Sequence, residues 1–221
     1  MSCWEIRIAT LIGAIVVGIA PPTTTAAEQP GLAIAALETL PVKGRAPKTG
    51  YSRDQFGQAW ADVNRNGCDT RNDMLKRDLT AIVYKDGTRN CVVLSGTLLD
   101  RYSGESINFV RGNVTSIEVQ IDHVVALSNA WQTGAFKLTA DQRKALANDP
   151  MNLFAVKGRL NSQKGDGDAA TWLPPLKSFR CAYVAQQIAV KAKYSLWVVP
   201  PEKAAMVSIL AKCPTQKVPL S

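Results

Sequence analysis

The sequence predicts an α+β fold, a single mostly helical domain with a small sheet. Three observations predict it. Ile117, Val119 and Ile121 alternate with Glu118 and Gln120, the two-residue period of a half-buried strand. Ser52-Arg53-Asp54-Gln55 and Thr139-Ala140-Asp141-Gln142 have capping-box spacing, which opens helices. Near the C-terminus, Ser178 to Lys193 and Pro201 to Ala211 read as two further helices. The chain is long enough for one domain with a normal core, or two at most.

The N-terminal segment stands apart. Arg7 precedes the apolar run Ile8 to Ala20, which Pro21-Pro22 breaks, and Thr25-Ala26-Ala27 offers small residues for cleavage. Residues 1–27 therefore read as a secretory signal peptide, with an uncleaved N-terminal anchor as the alternative. Either way the protein is expected to be exported, to secretion or the cell envelope. Residues 28–50, with Pro30, Pro41, Pro47, Gly31, Gly44 and Gly50, read as a Pro/Gly-rich linker. The domain proper is expected over residues 51–213, followed by a C-terminal tail at 214–221.

The elements follow in order. After Ser52, Phe56, Trp60 and Val63 share one helical face, and Asn66-Gly67 ends that helix. Asp69 to Leu79 carries a second short helix with Met74, Leu75 and Leu79 inward. Ile82-Val83-Tyr84 and Cys91-Val92-Val93-Leu94 pair across Asp86-Gly87. Gly96 to Gly104 holds turn residues and Ile107 to Val110 a further strand. The strand at Ile117 to Ile121 delivers Asp122 and His123 at its end. Val125 to Phe136 reads as helical, and Thr139 opens a helix through Ala147 that Asn148-Asp149-Pro150 stops. Leu153 to Val156 is a short strand, and Arg159 to Lys164 starts a polar helix.

Signal cleavage would leave four cysteines, an even count in an exported protein, which points to two disulfides with three connectivities open. The sequential pairing, Cys68 with Cys91 and Cys181 with Cys213, ties segments that this reading places as neighbours. Zinc is the competing use of four cysteines, but it needs tight pairs, and no two cysteines lie closer than 23 residues. The net charge of +8 favours a polyanionic partner.

The chain has a single histidine, His123, directly after Asp122. With an ordinary pKa of about 6.5, a histidine can take a proton from water at neutral pH, and activity would then rise through that pKa. Asp122 is a hard oxygen ligand for a divalent cation.

Strand, Asp-His, connection, strand and polar helix follow the order of a ββα-metal nuclease finger. Ile121-Asp122-His123-Val124-Val125-Ala126-Leu127, Asn152-Leu153, Asn161 to Asp166 and Trp172-Leu173-Pro174 resemble the HNH nucleases. They are most similar to exported bacterial members related to the C-terminal nuclease domain of GmrSD-type restriction enzymes. Cys68-Asp69-Thr70-Arg71-Asn72 resembles a further signature of that group.

The resemblance implies a phosphodiester hydrolase, an endonuclease acting on DNA, with RNA as a second substrate. It makes His123 the general base and gives Asn152 the bracing of the connecting loop. It pairs Asn161 with Asp122 as metal ligands. Asn161 lies nine residues after Asn152, a spacing also found in the HNH domain of the RNA-guided CRISPR nuclease. Oxygen-only ligands favour Mg²⁺ or Mn²⁺. Lys164 would face the phosphate, with Lys157 and Arg159 adding contacts independent of base sequence. No sequence-reading element such as a helix-turn-helix is evident, and no protein partner is implied. The alternative is an exported basic protein that binds nucleic acid or envelope polyanions without cleaving them.

Overall fold

The computed structural model describes Met1, residues 31–113 and residues 115–219. Apart from Met1, the segment read as a signal peptide lies outside the described residues. The chain forms two small antiparallel sheets embedded among helices, an α+β domain as its patterning predicts. No described helix is long and apolar enough to cross a membrane.

The first sheet joins β1 (Leu79–Tyr84), β2 (Val93–Leu99) and β3 (Ser106–Val110) in that order. α2 (Thr70–Asp78) leads into it, following α1 (Ala33–Thr39) at the start of the described chain. The Asp69 carboxylate caps α2 by accepting from the Asn72 N–H at 2.7 Å. Met74, Leu75 and Leu79 pack with Val93, Leu98, Phe109, Val119 and Ile121 in one apolar cluster. Strand β2 runs on through Gly96 to Leu99, where the sequence reading places a turn, because its residues pair with both neighbours.

The second sheet has two strands, β4 (Val119–His123) and β5 (Leu153–Lys157), with His123 opposite Leu153. Between them run α3 (Leu127–Gln132) and α4 (Ala140–Asn148). The Thr139 capping box on α4 is present in full. Helix α5 (Gly158–Lys164) leaves β5 directly and packs on both strands, completing a strand–strand–helix unit. A Cβ on Gly158 would lie 1.9 Å from the Ile117 carbonyl oxygen, so glycine alone allows this close approach. The Gly158 N–H donates to Glu118 O at 2.9 Å across the same gap. Helices α6 (Arg180–Lys193) and α7 (Pro200–Leu210) close the fold.

Cys68 bonds to Cys91, and Cys181 to Cys213, the sequential pairing. The first ties the entry of α2 to the start of β2, the second ties α6 to the end of α7.

Several local expectations change. The helix expected after Ser52 is one 3-10 turn, Arg53–Phe56, since Gly57 takes a left-handed φ of 72° and redirects the chain. Val63 is consequently exposed. Ile117 is exposed in a 3-10 turn ahead of β4. The segment read as a linker is packed from residue 31 onward. Ala33 and Leu37 of α1 are fully buried against Val184, Ile188 and Met206. The segment read as a tail is held with it: Ala33 N–H donates to Gln216 O and Val218 N–H to Gly31 O. The Pro/Gly spacing concealed a short apolar helix face, which the groove between α6 and α7 buries.

Replacing Gly158 with alanine should cost about 3 kcal/mol through the clash with Ile117. Chemical denaturation of the two proteins checks this, and an unchanged midpoint would contradict the close approach.

Candidate active site

The end of β4 opens on a cleft of about 300 Å³. Arg53, Trp60, Arg71, Asp122, His123 and Asn161 are among the residues that line it. They come from the 3-10 turn and its sequel, α2, β4 and α5, which only the tertiary fold brings together.

The His123 ring is 8 % exposed. Its Nε2 lies 2.9 Å from the Ala147 carbonyl oxygen, which can only accept. Nε2 therefore carries the proton and Nδ1 is the basic nitrogen. Trp60 stacks over the ring at 6.0 Å with 16° between the planes. Trp60 itself holds a φ of 56°, a costly backbone for a bulky residue, and such strain concentrates at functional sites. Burial drives the His123 pKa down to about 4; the Ala147 bond opposes this, and the Arg53 and Lys164 charges add to it. The ring is thus neutral throughout the physiological range, and the rise in activity expected through pH 6.5 moves to more acidic pH.

Asn152 is fully buried beneath this turn. Its Oδ1 accepts from Val125 N–H at 2.8 Å, and its Nδ2 donates to the Val125 and Leu146 carbonyls. Its own carbonyl accepts from Val124 N–H at 2.8 Å. One asparagine, through its carboxamide and its backbone carbonyl, thereby fixes the two residues after His123 and the end of α4 that supplies Ala147.

Asp122 is 3 % exposed and shared. Its Oδ2 accepts from the Tyr102 hydroxyl at 2.6 Å, and its Oδ1 from Lys164 Nζ at 2.9 Å. Burial and the Asp122 charge raise the Tyr102 pKa well above its ordinary value, so this hydroxyl stays a donor. Trp172 packs edge-on against Tyr102 at 5.1 Å and Tyr183 at 5.8 Å, which accounts for the Trp-Leu-Pro segment as packing. Asn161 lines the cleft on α5 and its Nδ2 donates to Gln120 Oε1 at 2.8 Å.

Three basic residues sit differently from their expected places. The Lys164 side chain is fully buried, with its ammonium held by Asp122 and by the His123 carbonyl at 2.8 Å. It braces the site from within and does not face a phosphate. Lys157 pairs with Glu105 at 2.6 Å, and Arg159 is exposed on α5; neither lines the cleft. The cleft cations are Arg53 and Arg71, which the sequence reading did not single out as substrate contacts. The signal was present in Cys68-Asp69-Thr70-Arg71-Asn72: Cys68, Asp69 and Asn72 are bonded inward, while Arg71 reaches the cleft.

The family model of GmrSD restriction endonucleases, C-terminal domain, matches residues 69–209. The chain belongs to this family. A relative described as an uncharacterized secreted protein, from Arthroderma benhamiae, is 40 % identical over 179 residues, covering 80 % of this chain and 82 % of its own length. The likeness therefore extends to a fungal protein, beyond the bacterial group named from the motifs. No solved structure matches the chain.

Two outcomes follow for this nuclease-family domain. Lys164→Ala would strand the buried Asp122 carboxylate and should cost about 3 to 5 kcal/mol, measurable as a lowered denaturation midpoint. A surface phosphate contact would leave that midpoint unchanged. His123 also makes stability depend on pH. Its folded pKa of about 4 lies below the unfolded value of 6.5, so the unfolded chain binds more protons between them. The stability is complete above pH 6.5 and falls as pH drops toward 4, by on the order of 3 kcal/mol from this residue. Denaturant titrations of wild type and His123→Gln across that range should differ in slope.

Proposed function

We propose that this protein is an exported, metal-dependent endonuclease of the HNH type, hydrolysing phosphodiester bonds of DNA, and of RNA, with little sequence specificity. The observation that carries the reading is the His123 arrangement: a neutral ring with Nε2 locked to Ala147, Nδ1 left basic, and its backbone turn tied by Asn152. The family match supports nuclease chemistry, and the secreted Arthroderma relative, together with the two disulfides, supports export.

The donor set fits a hard divalent cation. Asp122 and Asn161 line the same cleft and offer oxygen only. Each Asp122 oxygen accepts one hydrogen bond, and an ionised carboxylate has about four acceptor sites, so lone pairs remain. Among the described residues no cluster of three or more His, Cys, Asp or Glu could hold a metal. Such a site suits Mg²⁺ or Mn²⁺ held weakly with several waters, rather than zinc. When bound, the cation supplies polarisation of the phosphate and neutralisation of charge at the leaving 3′ oxygen.

The chain's residues do the rest. His123 Nδ1 takes a proton from a water, whose oxygen attacks phosphorus as the bond to the 3′ oxygen breaks. Asn152 and Ala147 hold the ring through this transfer. Lys164 and Tyr102 hold Asp122 in place. The absence of an evident base-reading element favours recognition of the backbone alone.

Incubation of the protein with plasmid and Mg²⁺ tests the reading. Cleavage should stop with chelator and return with Mg²⁺ or Mn²⁺; full activity in excess chelator would remove the metal from the proposal. His123→Ala should slow single-turnover cleavage by about 100- to 10,000-fold, the usual range for a lost general base. A stably folded alanine variant with undiminished turnover would end the assignment. Retention of DNA without cleavage at any metal would favour the binding protein instead.

A further inference from the structure

Arg71 is half-buried at the first turn of α2 and lines the cleft with Asp122, His123 and Asn161. Among the described residues it makes no ion pair. Of the two carboxylates nearest in sequence, Asp69 accepts from both the backbone and the side chain of Asn72, and Asp73 accepts from the side chains of Asn64 and Asn66. Asn72 cannot relieve Arg71 either: its Oδ1 accepts from Val93 N–H and from Arg111. Arg111 is thereby fixed close enough to repel Arg71; burial first, then that repulsion, disfavour the charged guanidinium, and the Asp69 charge opposes them. Across the cleft, exposed Arg53 adds a second cation that makes no ion pair among the described residues.

A half-buried guanidinium beside another cation, whose nearby carboxylate is already hydrogen-bonded to Asn72, gains from an arriving anion. A phosphate in the cleft would complete its pairing. Three of its neighbours in the motif are fastened: Cys68 by its disulfide, Thr70 by its hydroxyl to Ala61 O at 2.5 Å, and Asn72 by Val93. The guanidinium therefore stands on a rigid base, and its planar fork suits two phosphate oxygens at once.

We infer that Arg71 and Arg53 form the phosphate clamp of this site, Arg71 gripping the phosphodiester under attack and Arg53 the neighbouring backbone. The inference rests on the nuclease reading and names the residues that recognise its substrate. It replaces Lys164, Lys157 and Arg159 as the phosphate contacts. The two arginines divide the work. Rigid Arg71 meets the charge that grows on the phosphate oxygens in the transition state, so its loss lowers kcat. Exposed Arg53 binds substrate and transition state alike, so its loss raises KM.

The test uses the full chain with a fluorescein-labelled duplex DNA. Binding is measured in the His123→Ala background with chelator, so that no cleavage intervenes. Adding Arg71→Gln should weaken binding about tenfold and reduce the log–log salt slope by about 0.9, the share of one phosphate contact. Arg71→Lys, which keeps the charge but loses the fork, should recover most of the salt slope but little of the rate. With His123 restored, Arg71→Gln should lower kcat more than 100-fold and Arg53→Gln should mainly raise KM. Arg159→Gln, outside the cleft, should change neither. Denaturation midpoints accompany each variant, and Arg71→Lys carries the comparison if Arg71→Gln does not fold. A folded Arg71 variant with wild-type affinity, salt slope and kcat would overturn the clamp while leaving the nuclease reading in place. A wild-type protein inert on DNA and RNA with Mg²⁺ or Mn²⁺ would overturn both.

Discussion

The site depends on one buried carboxylate. Asp122, at the end of β4, is held between the Tyr102 hydroxyl and the Lys164 ammonium, and Lys164 reaches on to the His123 carbonyl. These contacts join the segment after β2, the last residues of β4 and the end of α5. A carboxylate taken out of water needs such partners, because an unpaired buried charge costs several kcal/mol. The same bonds fix the geometry of the site within the folded chain itself. Tyr102 is in turn positioned by Trp172 and Tyr183, so the aromatic packing of the C-terminal half reaches the site through one hydroxyl.

A second constraint acts on the opposite side of the same turn. Asn152 ties Val124 and Val125 to the end of α4, and the Ala147 carbonyl at that end accepts a hydrogen bond from His123 Nε2–H. The long connection between β4 and β5 is therefore part of the site. Its helices carry the carbonyl that sets the tautomer of the histidine. Desolvation then keeps the ring neutral, which leaves the Nδ1 lone pair free while lowering its basicity.

Much of this was legible in the sequence. The alternation before Asp122, the Thr139 capping box, the paired strands and the order of Asp122, His123, Asn152 and Asn161 are local or serial patterns. Local patterns survive folding because they reflect the chain's own geometry. The even cysteine count was legible for a different reason, since only a few pairings were open. The misreadings share a cause as well. Phe56, Trp60 and Val63 have helical spacing, yet Gly57 breaks the run after one turn. The Pro and Gly residues of 28–50 look like a linker, yet Ala33 and Leu37 find a groove between α6 and α7. Spacing records what a segment could bury, and only the partner surface decides whether it does.

The sequence by itself determined the residue types available for chemistry: one histidine, an adjacent carboxylate, two asparagines in order and an excess of cations. The tertiary structure decided which of those cations line the cleft. Lys164 looked like a surface contact on a polar helix, but α5 turns that side chain inward, where a buried Asp122 requires it. The sequence reading assigned Arg71 and Arg53 no contact role, but α2 and the turn before it carry them to the cleft. The reason is physical. A charge's role depends on its solvation and on its neighbours in space, and residues as far apart as Arg53 and Asn161 become neighbours only when the chain is folded.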